Sequence, residues 1–208
     1  MRLRFHREDG DRGPDAQVVP RIEYEFLGHG RRRGKKDGMT GSTPQIREIT
    51  PDEFSLVWPI FQEVVAGGDV FVQTPETTLD EAKRFWTAAP TRAFVAERGG
   101  GVVGSYMLRP NQPGRGDHVA NAGYIVSTAA RNQGIARTLC EHSLKTATEA
   151  GFLAMQFNFV VATNENAVHL WTSCGFETVG RLPGAFRHAR LGEVDVLVMY
   201  RRLERVAR

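Results

Sequence analysis

The 208-residue sequence has little cysteine, little net charge and no long apolar run. Its two cysteines, Cys140 and Cys174, cannot build a disulfide framework, which favours a reducing, cytoplasmic location. No run of about 18 apolar residues is present, so we expect no membrane partner. The residues also suggest no metal site. With 41% hydrophobic and 25% charged residues, the composition is that of an ordinary globular domain.

The net charge of +3 is confined to the beginning of the chain. Residues 1–43 carry 10 basic and 7 acidic residues, whereas the remainder is balanced at 17 of each. This first segment has little apolar periodicity and contains the basic run 31–36, so we predict a disordered basic extension. Met39 stands just before the first periodic segment, which leaves open whether residues 1–38 are native.

From residue 45 onward, strand and helix patterns alternate. This order predicts an α/β fold with a mixed sheet and helices on both faces, over residues 44–203, with 204–208 as a C-terminal tail. A Pro-Gly loop is expected to join the last two strands. The predicted strands are 45–49, 92–97, 102–108, 119–126, 152–161, 176–182 and 194–203. One helix is predicted to begin at Pro51, and three more are predicted at 79–86, 134–150 and 164–173.

The most informative stretch runs from the strand at Tyr124–Val126 through a short turn into the helix at Gly134. The unpaired N–H groups of a helix start, next to the small side chains of Gly134 and Ala136, favour binding of a pyrophosphate. Arg131 and Arg137 add positive charge. The alternative is an ordinary helix start with two solvated arginines.

A second motif begins at Asn164 and ends at Gly175-Phe176. By itself it is explained as a short helix that Asn164 caps and Gly175 ends. Together, the two segments resemble the Gcn5-related N-acetyltransferase (GNAT) superfamily. Its coenzyme A loop, Arg/Gln-x-x-Gly-x-Gly/Ala, corresponds to residues 131–136, and its Asn-x-x-Ala-x-x-Leu-Tyr helix corresponds to residues 164–171.

The resemblance implies a twisted, mostly antiparallel sheet of six to seven strands and acetyl transfer from acetyl-CoA, as co-substrate, to an amine. It implies that the strand before the loop pairs with the pantetheine arm and that the loop holds the pyrophosphate. The cofactor contacts that it implies are Tyr124, Ile125, Val126, Arg131, Asn132, Gln133, Gly134, Ile135, Ala136, Arg137 and Asn164.

One position departs from the superfamily pattern. The tyrosine that protonates the leaving thiolate in many such enzymes is replaced by Trp171, whose indole N–H is not a usable acid near neutral pH. No catalytic residue is therefore assigned. Cys174 and water remain as substitutes, although a buried structural thiol is the simpler interpretation of Cys174.

The acceptor side resembles the fungal acetyltransferases that detoxify proline analogues. The segments that carry this resemblance are 121–126, 157–164 and 179–187. Asn121 and Asn158 place amides on two apolar strands beside the predicted cleft, where each needs a partner. We predict that they contact the substrate; the alternative is pairing with backbone in a bulge.

No acidic residue lies on the strand 119–126, and His118 stands at its edge. Since an attacking amine must be neutral, we hypothesise deprotonation through water. Arg187 and His188 are either contacts for an acidic substrate group or ordinary surface residues.

These observations favour a small-molecule N-acetyltransferase, with an amino acid or proline analogue as one acceptor class. Acetylation of a protein or peptide amine is the enzymatic alternative, and a non-catalytic acyl-CoA-binding protein with a nucleic-acid-binding tail is the other. The equal numbers of acidic and basic residues in the domain do not favour nucleic acid as a partner. A homodimer through the late strands is compatible with the resemblance.

Overall fold

Seven strands form one sheet in the order β1-β2-β3-β4-β5-β7-β6 in the computed structural model, which describes residues 43–204. The predicted extension and the end of the predicted tail lie outside these residues. The strands are β1 Gln45–Ile49, β2 Arg92–Arg98, β3 Gly101–Pro110, β4 Val119–Val126, β5 Ala154–Val161, β6 Glu177–His188 and β7 Gly192–Arg202. The α-helices are α1 Trp58–Ala66, α2 Leu79–Thr87, α3 Ile135–Glu149 and α4 Glu165–Ser173.

The sheet is mixed and mostly antiparallel, as predicted. Strands β1 to β4 form consecutive antiparallel pairs, and β7 pairs antiparallel with both β5 and β6. Only β4 and β5 run parallel, across the connection that contains α3.

Helices cover both faces of the sheet, which confirms the predicted layers. Side chains alternate along a strand, so Phe94 and Ala96 of β2 face one core while Ala93 and Val95 face the other. The first core includes residues of α3 and α4, and the second includes residues of α1 and α2.

The helix predicted from Pro51 is interrupted. Residues Pro51–Leu56 form a 3₁₀ helix, and α1 begins separately at Trp58. Proline lacks the N–H that an α-helix needs, so Pro59 is favourable in the first turn of a new helix but not inside a continuous one. Phe54 and Phe61 are nevertheless both buried in the same core.

The Pro-Gly prediction for the last two strands is wrong. Pro183 and Gly184 lie inside β6, where the pairing with β7 shifts between Leu182 and Phe186. Gly184 donates its backbone N–H to Asp195 Oδ1 at 2.9 Å, which keeps this irregular segment attached to β7. The turn lies at residues 189–191, where Ala189 N donates to the carbonyl of Gly68 at 3.0 Å.

No helix between residues 43 and 204 is both long and apolar enough to cross a membrane.

Candidate active site

The centre of the sheet opens between β4 and β5. These parallel strands are paired only at Val119–Ala154 and Ala120–Met155. Beyond Ala120, β4 remains paired with β3 up to Val126, while its other edge has no strand partner. The strands therefore separate over the segment that the sequence predicts to hold an extended ligand.

The free edge of β4 exposes a defined set of backbone groups. The carbonyl of Val119 accepts from Asn111 N, directly after β3, at 2.7 Å, and Ser127 N donates to the carbonyl of Val103 in β3 at 3.0 Å. Odd-numbered residues therefore direct their backbone groups toward β3. Because these directions alternate along a strand, the N–H and C=O groups of Ala122, Tyr124 and Val126 face the opening. An extended ligand can pair there as a strand would.

A side-chain hydrogen bond and a bulge lie at the end of the opening where β4 and β5 are last paired. Asn121 Nδ2 donates to the backbone carbonyl of Gln156 at 2.9 Å, just past the last backbone pair. In β5, the register with β7 shifts between Phe157 and Val160. These features direct β5 away from β4.

A cavity of about 1220 Å³ lies along this opening. Its walls come from α1 and the residues after it, β4, the loop before α3 and the start of α3, α4 and the β6–β7 turn. All but one of the residues predicted to bind the cofactor line it: Tyr124, Ile125, Val126, Arg131, Asn132, Gly134, Ile135, Ala136, Arg137 and Asn164.

The N-terminus of α3 opens into this cavity without a side-chain cap. Gly134 occupies the cap position with φ 80°, and Asn132 has φ 59°. Nothing lies within 4 Å of the place where a Cβ of Gly134 would stand, so the approach to the helix end is open. The N–H groups of the first helical turn have no acceptor within the helix, a geometry that favours an anion at this end.

Gln133 is the exception among the predicted cofactor residues, because it does not line the cavity. Its amide nitrogen donates to the Ala129 carbonyl at 2.8 Å, and its oxygen accepts from Arg98. The Gln133 side chain thus stabilises the loop through contacts away from the cavity.

Arg137 lines the cavity and also donates to Ser173 Oγ at 2.7 Å, which connects α3 to α4.

A second cavity of about 300 Å³ lies on the α1–α2 side of the opening. Most of its wall is apolar, with Phe71, Phe85 and Met107 among the lining residues. Its polar side chains come from the segment before α2, from β3 to β5 and from the α4 cap: Gln73, Arg109, Asn121, Tyr124, Asn158 and Asn164.

Both predicted substrate asparagines line this smaller cavity, but their surroundings differ. Asn121 is only 8% exposed, and its amide nitrogen is used by the Gln156 carbonyl. Asn158 is exposed at the β5 bulge, donates to Asn111 Oδ1 at 2.6 Å and accepts from Gln156 Nε2 at 2.7 Å. The backbone pairing considered from the sequence is present for Asn121, whereas Asn158 pairs with side chains.

The two cavities share Tyr124, Asn164 and Trp171 in their walls. The ring centroids of Tyr124 and Trp171 lie 4.8 Å apart. Asn164 Oδ1 caps α4 by accepting from Ala167 N at 3.2 Å, as the sequence suggested. The Tyr124 hydroxyl is 2.6 Å from Ser143 Oγ, and burial raises the pKa of Tyr124 well above its usual value of 10.

Among residues 43–204, no Asp, Glu or His lines the smaller cavity. His118 and Arg187 are exposed and line neither cavity. His188 is buried, lines the larger cavity and accepts at Nδ1 from Arg190 N at 3.1 Å. The described part of the chain thus presents no side-chain base to the smaller cavity.

Cys174 is buried in the core with Cys140 and lines neither cavity. Burial, together with the neighbouring Cys174 thiol, raises the pKa of the Cys140 thiol. This position fits the structural interpretation of Cys174. The described residues also contain no group of three or more His, Cys, Asp or Glu side chains that could hold a metal ion.

Sequence reasoning missed Gln73 and Arg109. Arg109 lies at the end of β3, directly opposite Asn121 in the β3–β4 register, so both side chains stand on the same face. A basic residue that closes the apolar strand pattern 102–108 was the available signal. Gln73 lies in the irregular segment between α1 and α2, where no periodicity marks it.

Comparison with known proteins agrees with this geometry. The model of the acetyltransferase (GNAT) family matches residues 45–176. The N-acetyltransferase aca1 of Schizosaccharomyces pombe is 37% identical over 98 residues, which are 47% of each chain, so this chain spans about half of that relative.

Two solved structures extend the comparison to the fold. A GCN5-related N-acetyltransferase from Kribbella flavida has a TM-score of 0.73 and 40% identity, over 77% of this chain and 98% of its own. The structure of yncA from Salmonella typhimurium, solved with its cofactor acetyl-CoA, has a TM-score of 0.69 and 19% identity, over 80% and 98%, and supports the fold alone. The family match covers more than half of the sequence, and the chain therefore belongs to the GNAT family of acetyltransferases.

Proposed function

We propose that this protein transfers an acetyl group from acetyl-CoA to the amine of a small molecule, with residues 44–203 as the acetyltransferase domain. One observation carries the proposal: a long cleft with an anion site and a small apolar cavity share Tyr124, Asn164 and Trp171 in their walls. Two reactants that enter from opposite sides would meet there.

The residues of the larger cavity fit acetyl-CoA. The backbone edge at Tyr124 and Val126 offers alternating donors and acceptors to an amide-containing arm. The open N-terminus of α3, with Arg131 beside it, suits a pyrophosphate because several N–H groups and a positive charge converge there. The match of residues 45–176 to the GNAT acetyltransferase family supports this assignment.

Acetyl-CoA bound there would supply an acetyl group on a thioester, whose thiolate has a pKa near 8.5 and leaves without strong acid assistance. The chain then contributes mainly position and polarity. The β4 N–H groups that face the opening would polarise the thioester carbonyl. Trp171 packs against Tyr124 and Phe157 where the two cavities meet.

The smaller cavity suits the acceptor. A volume of about 300 Å³ lies at the lower end of the range for small-molecule sites and does not favour a folded protein surface. We assign Asn121 and Asn158 as acceptor contacts. The amine loses its proton to water, since the described lining residues include no Asp, Glu or His.

The decisive experiment follows free-thiol release from acetyl-CoA with the purified full chain. The acceptor panel contains amino acids, proline analogues, polyamines, aminoglycosides and a peptide. We expect release that depends on a small amine, together with thermal stabilisation by acetyl-CoA. Absence of both would overturn the proposal, and turnover with the peptide alone would replace the small-molecule acceptor with a peptide amine.

We also propose a cytoplasmic location, since Cys140 and Cys174 are free thiols within the described residues. A homodimer through the exposed edge of β6 is a further proposal, which the mass of the purified protein in solution tests directly.

A further inference from the structure

Two polar groups stand in the smaller cavity without a partner among residues 43–204. Gln73 Oε1 is buried and accepts no hydrogen bond. Arg109 is half-buried and forms no ion pair with any described carboxylate, although its guanidinium carbon lies 5.9 Å from the centroid of the Phe85 ring. A buried oxygen is costly to leave unpaired, and a cation against an aromatic wall is ready to bind an anion.

Both groups are held in place by packed structure. Arg109 stands on β3 opposite Asn121, within the continuous β3–β4 pairing. Gln73 lies two residues after Phe71, whose ring packs against Phe61 at 6.4 Å and Trp86 at 5.9 Å between centroids. The two polar groups therefore belong to a preformed site rather than to a free surface.

We propose that Gln73 and Arg109 recognise the acceptor: Gln73 Oε1 accepts a hydrogen bond from its amine, and Arg109 binds an anionic group on the same molecule. The inference rests on the proposed function and narrows it to amines that carry a carboxylate or a similar acidic group. The apolar wall formed by Phe71, Phe85 and Met107 contacts the hydrocarbon part between them.

The test of Arg109 compares matched acceptors, each amino acid against its own carboxamide, which removes the negative charge. Because the carboxamide also lowers the pKa of the amine, the values compared are the limiting kcat/KM values above the pKa of both amines, where both are neutral. The wild-type kcat/KM is expected to favour the acid by roughly tenfold or more, because hydrogen bonds between charged groups are the strong ones. Arg109→Gln removes this preference, and Arg109→Lys restores part of it. Arg115→Gln, which makes the same charge change outside both cavities, keeps it.

The test of Gln73 uses Gln73→Leu, which keeps the approximate size and removes the oxygen. We expect the acceptor KM to rise roughly tenfold for acids and carboxamides alike, with the KM for acetyl-CoA unchanged. Gln62→Leu, at an exposed position of α1 that lines neither cavity, is the control.

The outcomes separate this inference from the proposed function. No acetyl-CoA-dependent turnover with any amine rejects the proposed function itself. Equal limiting kcat/KM values for acids and carboxamides, or an Arg109→Gln variant that retains the preference, overturn the role of Arg109. An unchanged acceptor KM in Gln73→Leu overturns the role of Gln73.

Discussion

Asn121 donates its side-chain amide to the backbone carbonyl of Gln156 at 2.9 Å, immediately beyond the last backbone pair between β4 and β5. A side chain thus replaces a backbone donor at the point where the sheet opens. Asn121 connects the fold to the site, because its hydrogen bond lies where the pairing ends and the residue also lines the smaller cavity.

Asn121→Ala is expected to lower both stability and turnover. The substitution leaves the Gln156 carbonyl without its donor, which costs about 1–3 kcal/mol in a buried position. It also removes the proposed acceptor contact, while β4 keeps its register with β3 up to Val126, so the free backbone edge proposed for the cofactor stays intact. Chemical denaturation, acceptor kinetics and acetyl-CoA binding measure the three effects. Unchanged turnover would return Asn121 to a purely structural role.

Asn158→Ala should separate acceptor binding from a structural role, since Asn158 is exposed and its partners are side chains. We expect the free energy of unfolding to change by no more than about 0.5 kcal/mol. The acceptor KM should rise while acetyl-CoA binding stays constant. Asn111→Ala, which removes a partner of Asn158 outside the cavity lining, is the control and should have a smaller effect. Equal effects of the two variants would contradict a direct contact of Asn158.

Gly134→Ala tests the open end of α3. With φ 80°, an alanine there is strained by about 1–2 kcal/mol, although nothing lies within 4 Å of its Cβ. Relief of that strain moves the N–H groups of the first turn, so the KM for acetyl-CoA should rise. Gly100→Ala is matched to it, because Gly100 has φ 81° and equally open surroundings in the β2–β3 turn.

Both glycine variants should lose similar stability in denaturation, while only Gly134→Ala should bind acetyl-CoA more weakly. If Gly100→Ala raised the KM for acetyl-CoA to the same extent, the effect would belong to general destabilisation and not to the helix end.

The sequence predicted the parts of the site that depend on local patterns. The strand at Tyr124–Val126 and the helix start at Gly134 carry their geometry in neighbouring residues, and they line the larger cavity as expected. Gln73 and Arg109 could not be placed in this way. Their position depends on how the segment before α2 packs across the sheet, which is a long-range contact without a periodic signal. Pro59 was the local signal that the first helix prediction overlooked.

Trp171→Phe tests whether the indole takes part in proton transfer. We expect turnover within roughly tenfold of the wild type, because the ring still packs against Tyr124 and Phe157 and no acid is lost. The free energy of unfolding should fall by less than the loss caused by truncation of a buried aromatic side chain to alanine, which is typically about 3–5 kcal/mol. Steady-state kinetics and thermal unfolding measure both. A hundredfold loss of kcat in a folded Trp171→Phe variant would assign a chemical role to the indole N–H.

The pH dependence of the reaction should follow the acceptor amine and not a side chain. No Asp, Glu or His among the described residues lines the smaller cavity, and burial raises the pKa of Tyr124, so its hydroxyl stays protonated as the pH rises toward 10. Only the neutral amine attacks, so kcat/KM should increase about tenfold per pH unit below the amine pKa and then level off. Two acceptors whose amine pKa values differ by about 2 should give profiles displaced by about the same amount.

His118→Ala should leave both profiles unchanged, since His118 is exposed and lines neither cavity. An inflection near pH 6.5 shared by both acceptors would instead reveal a histidine base, and the water-mediated deprotonation would then be wrong.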